Sequence, residues 1–236
     1  AEEKLDEVGC KKRGFSPAKA DLGEWRTMVL REKQATETVT VALVGKYTSL
    51  HDSYLSIVES LNHAGIENDV TVDIRWIDSC RVTEDTAAEV FSGCDGMLVP
   101  GGFGDRGIEG MISSIRYARE SNLPFFGICL GMQMAVVEFA RHEALLTDSY
   151  SAEFHAACTH PVIPIMPEQQ GVTDKGGTMR LGKYPGVIEP SSLAHDTYGT
   201  DEITERHRHR HEFNNDYRIP LTDAGLTISG YSPDNQ

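Results

Sequence analysis

The feature that most constrains this chain is the alternation of short apolar runs with amphipathic stretches between residues 39 and 140. Residues 39–45, VTVALVG, form a β-branched apolar run typical of a strand that is buried on both faces. Four residues with the i, i+3, i+4, i+7 spacing of a helix come next: Tyr54, Ile57, Val58 and Leu61. Gly65 is placed to end that helix.

The same alternation continues and predicts the fold class. Further strands are expected at residues 70–76, 97–99 and 123–128, and further helices around residues 87–91, 111–115 and 132–140. Strands that alternate with helices imply right-handed crossovers. We therefore predict an α/β fold: a three-layer, doubly wound, mostly parallel sheet with helices on both faces. Ligands of such sheets bind at the carboxyl ends of the strands.

Composition narrows the class of protein. The 236 residues carry a net charge of −14, which disfavours nucleic acid or anionic membrane as the main partner. The chain shows neither a signal-peptide core nor an apolar run long enough to span a bilayer. Five widely spaced cysteines, without a C-x-x-C pair, argue against a disulfide framework and fit a reducing cytosol. A cytoplasmic location is expected, with most of these cysteines serving as small buried hydrophobes.

The two ends of the chain differ from this central region. Residues 1–38 are polar and lack a strand pattern, so we interpret them as a linker with a docking helix or as the end of a preceding domain. Four apolar residues there could anchor one or two helical turns: Trp25, Met28, Val29 and Leu30. Residues 39–236 form the predicted domain. In the last third of this domain, the sequence pattern predicts short strands and loops, with one late strand at residues 225–231, GLTISGY.

The sequence GICLG, residues 127–131, joins an apolar strand directly to a helix. Glycines on both sides of Cys129 permit the sharp, strained turn of a nucleophile elbow. At the start of a helix, the dipole and the free N–H groups are expected to favour thiolate over thiol. The sequence therefore indicates a reactive cysteine, although a cysteine that only fills a tight turn gives the same pattern.

A second glycine-rich segment, PGGFGDRG at residues 100–107, follows the neighbouring predicted strand. Its glycine spacing fits neither a dinucleotide fingerprint nor a P-loop. The segment predicts backbone N–H donors that face Cys129 and form an oxyanion hole with the N–H of Leu130. The alternative is a glycine-rich turn that serves only to reach positive φ.

Together these residues carry a resemblance. The segments VALVGKY, LVPGGFGDRGIEGM, GICLGMQ, GGTMRLG and ERHRHRHEFN resemble, in this order, the glutamine amidotransferase domains of CTP synthases. The likeness runs from about Val39 to Gln236, and residues 1–38 resemble the interdomain linker of those enzymes. It implies hydrolysis of L-glutamine to supply ammonia for the ATP-dependent amination of UTP to CTP. The synthetase half, where ATP and Mg²⁺ would bind, is not in this chain, and no cofactor is expected in the glutaminase half.

The resemblance also implies roles for particular residues. Cys129 matches the nucleophile that forms a glutamyl thioester, and Gly101, Gly102 and Leu130 match the oxyanion donors. Gly131, Met132 and Gln133 match residues that contact glutamine.

Two charged residues match the groups that hold the ends of the amino acid. Glu153 and Arg210 correspond to those that bind its α-ammonium and α-carboxylate. Taken singly, each is more often a solvated surface residue. Where the family has an aromatic residue after this arginine, the chain has His211.

Three further expectations complete the interpretation. The alternating His207, His209 and His211 invite a metal site, but the interleaved arginines argue against one, and none is expected. In the family, the catalytic His and Glu come from an HPE-type motif after a segment like GYSPDNQ, and the sequence ends at Gln236 within that segment. His160-Pro161 lies in the wrong region to replace it, so no triad base is assigned.

The partners expected from the resemblance are L-glutamine, the amidoligase domain and further copies of the full-length protein. Two alternatives remain open. One is a catalytically idle glutamine-binding or assembly domain, and the other is a related γ-glutamyl hydrolase.

Overall fold

A computed structural model describes residues 4–16, 21–172 and 180–233 of the chain. The helices are α1 (Leu5–Lys12), α2 (Gly23–Gln34), α3 (Leu55–Glu67), α4 (Glu84–Val90), α5 (Ile108–Glu120), α6 (Leu130–His142), α7 (Leu193–Tyr198) and α8 (Arg218–Asp223). The strands are β1 (Glu37–Gly45), β2 (Val70–Asp78), β3 (Gly96–Val99), β4 (Phe125–Gly127), β5 (Ser149–Ser151), β6 (His160–Ile163), β7 (Arg180–Ile188), β8 (Glu202–His209) and β9 (Gly230–Tyr231). The chain divides into two compact units, Ala1–Thr38 with Glu59–Val72 and Val39–Val58 with Asp73–Gln236.

The first unit contains α1, α2 and most of α3. Helix α2 spans 12 residues, longer than the one or two turns predicted there, and neither α1 nor α2 has a buried residue. Arg31 joins α2 to the turn after α3: its Nε lies 2.8 Å from Asp69 Oδ1 and its Nη1 lies 2.9 Å from Glu67 Oε2. Both pairs are exposed, so they orient the helix more than they stabilise it.

Gly65 does not end α3 as predicted, because the helix continues to Glu67. A Cβ at this position would lie 2.8 Å from the carbonyl oxygen of Val70 and 3.0 Å from Cγ2 of Val72. The glycine is therefore present because the helix packs closely on the following strand, a reason that the sequence pattern alone does not distinguish from a helix stop.

A four-stranded sheet in the order β2-β1-β3-β4 organises the second unit. β3 pairs in parallel with β1 on one side and with β4 on the other, so that Leu43, Leu98 and Phe126 share a level across the sheet. The predicted α/β class with a mostly parallel sheet is confirmed. The strand order reverses between β1 and β3, and in doubly wound sheets such a reversal opens a crevice at the carboxyl ends of the strands.

The core lies where one face of this sheet meets helices α4, α5 and α6. Fully buried sheet residues Ala42, Val44 and Val99 belong to the same apolar cluster as Met111 of α5 and Met134 of α6. The strand predicted at residues 123–128 is shorter than expected and covers only Phe125–Gly127. The chain leaves the sheet immediately before Cys129, which makes the following bend abrupt.

Smaller sheets follow in the rest of the unit. β5 and β6 pair in parallel, whereas β7 pairs antiparallel with both β8 and β9. The late strand predicted at residues 225–231 is wrong over most of its length, because only Gly230–Tyr231 pairs. Residues 176–179 of the GGTMRLG motif lie outside the described residues, and its last three residues begin β7. In the described ranges, none of the helices combines the length and apolar character needed to cross a bilayer.

A buried ion pair joins helix α6 to α5. The carboxylate of Glu138 is 1% exposed and lies 2.8 Å from Nη2 of Arg119 on α5 and 3.1 Å from Nδ1 of His142. Replacing Arg119 by Met is expected to lower the free energy of unfolding by about 3 kcal/mol, because the buried carboxylate of Glu138 loses the guanidinium that offsets the cost of removing its charge from water. Urea denaturation measures this change.

Arg116 provides the matched control, because it also lies on α5 but pairs with the exposed carboxylates of Glu84 and Glu120. Arg116→Met should cost less than about 1 kcal/mol. Equal losses of unfolding free energy in the two variants would show that the buried ion pair contributes no more to stability than the exposed ones.

Candidate active site

The turn between β4 and α6 places Cys129 at the N-cap of the helix. Its backbone has φ 54° and ψ −107°, a combination that side chains other than glycine rarely adopt. The N–H of Ile128 donates to the carbonyl of Val99 at 2.9 Å, which holds the end of β4 against β3. The predicted strand–turn–helix elbow is therefore present, and its backbone is strained at the cysteine.

Glycines are required at this elbow because backbone packs on backbone. A Cβ on Gly131 would lie 2.7 Å from the carbonyl carbon of Val99 and closer still to its oxygen. A Cβ on Gly127 would lie 2.7 Å from the carbonyl carbon of Gly131. Neither obstacle is a flexible side chain, so both positions exclude larger residues.

The second glycine-rich segment, at the carboxyl end of β3, lies against the elbow. A Cβ built on Gly101 would lie 3.5 Å from Cβ of Cys129 and 4.0 Å from its Sγ. Gly102 packs between the side chains of Lys46 and Leu130. The structure thus brings Gly101, Gly102, Cys129 and Leu130 together at neighbouring strand ends.

Lys46 belongs to this site, although the sequence patterns did not indicate it. It follows β1 directly, is 3% exposed, and donates through Nζ to the carbonyls of Phe103, at 3.4 Å, and Gly104. Burial lowers the pKa of Lys46, and the nearby carboxylate of Glu153 opposes that shift. The lysine therefore holds the glycine-rich segment in place. A lone lysine immediately after a buried strand was the available signal.

Two tyrosines complete the support of this segment. The hydroxyl of Tyr54 accepts hydrogen bonds from the backbone N–H groups of Lys46, at 3.1 Å, and Tyr47, at 3.3 Å. The hydroxyl of Tyr47 accepts from the N–H of Phe103 at 3.2 Å. The end of β1 and the glycine-rich segment are thereby fixed to one another.

The environment of the Cys129 thiol differs from the sequence prediction. The residue is exposed, but the protein around its sulfur raises the pKa of the thiol, and the Glu153 carboxylate adds to the shift. A hydrogen bond from the backbone N–H of Leu130 acts in the opposite direction. The expectation that the helix start makes thiolate the favoured form is wrong, because desolvation outweighs the helix terminus. Sγ lies 3.9 Å from the carbonyl oxygen of Arg208.

Residues on α6 and after β5 extend the site. Gln133, one turn beyond the cysteine, is 5% exposed and donates through Nε2 to the carbonyl of His211 at 2.9 Å. Glu153 Oε2 lies 3.5 Å from Nδ1 of His211. Met132 is exposed at the elbow. The structure thus connects Gln133 and Glu153 through the same residue, His211.

Arg210 lies next to this cluster. Its Nη2 donates to the carbonyls of Gln169, at 3.3 Å, and Val172, at 3.1 Å. Its Nε is buried and lacks a hydrogen-bond partner within the described residues. A guanidinium held in this way keeps donors that could bind a carboxylate.

Other polar groups of the sequence analysis lie elsewhere or bond to one another. His160 Nδ1 contacts the hydroxyl of Tyr217 at 3.3 Å, and His207 Nδ1 contacts His209 Nε2 at 3.0 Å. In residues 4–16, 21–172 and 180–233, no three His, Cys, Asp or Glu side chains converge as metal ligands. Cys80 is exposed, contrary to the expectation of a buried hydrophobe, and its sulfur lies 3.4 Å from Nη1 of Arg106.

Comparisons with known proteins point in one direction. The sequence model of the family described as "Glutamine amidotransferase class-I" matches residues 49–236. CTP synthase of Clostridium perfringens is 53% identical over 234 residues, and that of Geobacillus kaustophilus is 49% identical over 235 residues. These alignments cover 99% and 100% of this chain but only 44% of each relative, so the chain spans less than half of their length.

A solved structure is similar in fold as well as in sequence. It is the glutaminase domain of CTPS from Trypanosoma brucei with bound acivicin, which is 38% identical to this chain and has a TM-score of 0.77. The match covers 84% of this chain and 77% of the other.

Proposed function

The chain belongs to the class I glutamine amidotransferase family, and from this premise we propose that its cysteine elbow hydrolyses L-glutamine to glutamate and ammonia. The observation that carries the proposal is the position of Cys129, which is strained, exposed and packed against Gly101 at the carboxyl ends of β3 and β4. The acivicin-bound glutaminase domain supports the same chemistry in a protein of similar fold.

The proposed reaction has two halves. The Cys129 sulfur attacks the side-chain carboxamide carbon of glutamine, and backbone N–H groups of Gly101, Gly102 and Leu130 stabilise the oxyanion that forms. The C–N bond breaks, the nitrogen takes up a proton and leaves as ammonia, and a glutamyl thioester remains. Water then attacks the thioester, which releases glutamate and restores the thiol.

A base must accept the thiol proton during attack, because burial raises the pKa of Cys129. We assign this role to the His and Glu that the family resemblance places in an HPE-type motif after a segment like GYSPDNQ. Among the described residues, the hydrogen-bonding neighbours of Sγ are backbone groups of Leu130 and Arg208.

Binding of the amino-acid end of glutamine is assigned by charge. The carboxylate of Glu153 suits the α-ammonium group, and the guanidinium of Arg210 suits the α-carboxylate. Gly131, Met132 and Gln133 would line the substrate at the elbow. The interactions of Arg210 with two backbone carbonyls support this assignment, since they fix the direction in which its remaining donors point.

Replacing Arg210 by Lys tests the assignment while keeping the positive charge. Lysine cannot hold the carbonyls of Gln169 and Val172 and also offer a planar fork to a carboxylate. We expect KM for glutamine to rise roughly 10- to 100-fold with kcat changed less than about threefold. Steady-state kinetics measure both constants. A fall in kcat at unchanged KM would show that Arg210 acts on the chemical step instead.

The role of the complete protein is a further part of the proposal. Relatives named CTP synthase support a context in which the ammonia aminates UTP to CTP in an amidoligase domain that uses ATP and Mg²⁺. We propose that this chain is the glutaminase part of such a protein, that it uses no cofactor of its own, and that the full-length protein forms homo-oligomers in the cytoplasm.

The test of the function is direct. The full-length protein that contains this chain, incubated with L-glutamine, is expected to release glutamate and ammonia in equal amounts. A γ-glutamyl peptide serves as the comparison substrate and should be cleaved far more slowly. Preference for the peptide would indicate a γ-glutamyl hydrolase, and cleavage of neither substrate would indicate an idle binding domain.

A further inference from the structure

Two side chains share a single carbonyl oxygen beside the elbow. His209, the last residue of β8, has Nδ1 3.2 Å from the carbonyl oxygen of His211. Gln133 donates its Nε2–H to the same oxygen at 2.9 Å. The carbonyl only accepts, so its two lone pairs are used by one donor from α6 and one from the strand end.

This arrangement fixes the hydrogen positions on His209. Nδ1 must carry the hydrogen that the carbonyl of His211 accepts. Burial, the neighbouring His207 and the Arg180 guanidinium lower the pKa of His209 to about 4, so its ring is neutral at physiological pH. Nε2 is then an acceptor, and it lies 3.0 Å from Nδ1 of His207, which must be the donor of that pair. The ring of His209 is thus bonded at both nitrogens.

Two residues close to His209 in the chain, Arg208 and His211, contact residues of the proposed glutamine site. The carbonyl of Arg208 lies 3.9 Å from Cys129 Sγ, and the side chain of Arg210 is held by Gln169 and Val172. The imidazole of His211 lies 3.5 Å from the Glu153 carboxylate. Two contacts to the site, those of the Arg208 carbonyl and the His211 imidazole, therefore depend on the path of one short backbone segment, residues 208–211, which also carries Arg210.

We propose that His209 is a positioning residue for glutamine, which acts by holding the His211 carbonyl together with Gln133 and so fixing residues 208–211. The inference rests on the proposed function and adds a residue to it that does not touch the reacting atoms. Loss of the Nδ1–H donor should let the segment shift, which weakens binding through Arg210 and Glu153 more than it slows bond cleavage.

A pair of variants in the full-length protein tests the role. In His209→Phe, which keeps the ring but not the donor, KM for glutamine should rise roughly tenfold with kcat changed less than about threefold. In His209→Asn, the side-chain amide N–H lies close to the place of Nδ1–H and should restore KM to within about threefold of wild type. A wild-type KM in the Phe variant, or an equal loss in both variants, would overturn the inference.

A second measurement does not depend on catalysis. Long-range ¹H–¹⁵N NMR spectra of the histidine rings should show His209 as the neutral Nδ1–H tautomer between pH 6 and 8, with protonation only near its pKa of about 4. An Nε2–H tautomer would contradict the inference even in an active enzyme. If the wild-type protein does not hydrolyse glutamine, the proposed function fails first, and the kinetic role of His209 fails with it.

Discussion

Replacing Cys129 by Ala is expected to reduce glutamine hydrolysis by roughly 10⁴-fold or more, to near the background of the assay. The reason is that the proposed backbone donors of Gly101, Gly102 and Leu130 can stabilise an oxyanion only after a nucleophile has attacked the carboxamide. The glutamate released by the full-length variant measures the loss. Cys10→Ala, a substitution in α1 of the first unit, provides the control and should keep the wild-type rate.

Labelling gives the same prediction an independent readout. A glutamine analogue that carries an α-chloroketone should alkylate wild-type protein at Cys129, which peptide mass spectrometry can locate. Retained hydrolysis in Cys129→Ala, or alkylation at another cysteine in an active enzyme, would contradict the assignment of the nucleophile. Exposed Cys80 is the competing target to examine.

A glycine variant separates the chemical role of Cys129 from its backbone strain. At φ 54° and ψ −107°, an alanine keeps the strain that cysteine has, whereas glycine relieves it. We expect Cys129→Gly to be as inactive as Cys129→Ala but more stable by about 1 kcal/mol, the relief being partly offset by the greater freedom of glycine in the unfolded chain. Urea denaturation of the two variants compares them, and equal stabilities would show that the elbow is not strained.

The sequence predicted the elbow because its determinants are local. Gly127, Cys129 and Gly131 lie within five residues, and the apolar run before them and the helix formers after them define the bend. The parallel sheet was predictable for a similar reason, since each strand and helix carries its own period. The observed strands begin and end a few residues away from the predicted limits, because hydrogen bonding to neighbouring strands decides where a strand begins and ends.

What could not be predicted depends on residues far apart in the chain. Lys46 supports the site because its Nζ donates to the carbonyls of Phe103 and Gly104. The residues around Lys46 in the sequence do not show which distant loop will pack on it. The link from Gln133 to the His211 carbonyl joins residues 78 positions apart. The raised pKa of Cys129 depends on how much protein surrounds the sulfur, and a helix-terminus argument from sequence omits that desolvation.

Gly131→Ala is expected to have the largest effect on stability, about 3 kcal/mol or more in the free energy of unfolding. The added methyl group would overlap the carbonyl of Val99, and the backbone of β3, which is paired with a strand on each side, cannot move aside as a flexible side chain can. Helix α6 must then shift away from β3 and take Cys129 with it. Because displacement of a reacting group by about 1 Å can cost roughly 100-fold in rate, glutamine hydrolysis should fall even at temperatures where the variant remains folded.

Gly96→Ala is the matched control for this prediction, because Gly96 begins β3 and a Cβ there would meet its nearest neighbour, the carbonyl oxygen of Pro124, at an ordinary 3.6 Å. That variant should lie within about 1 kcal/mol of wild type and keep its activity. Denaturation curves and hydrolysis rates of both variants separate the two consequences. If Gly131→Ala were as stable and active as Gly96→Ala, close packing of α6 on Val99 could not be what positions the nucleophile, and the strained turn at Cys129 would need another support.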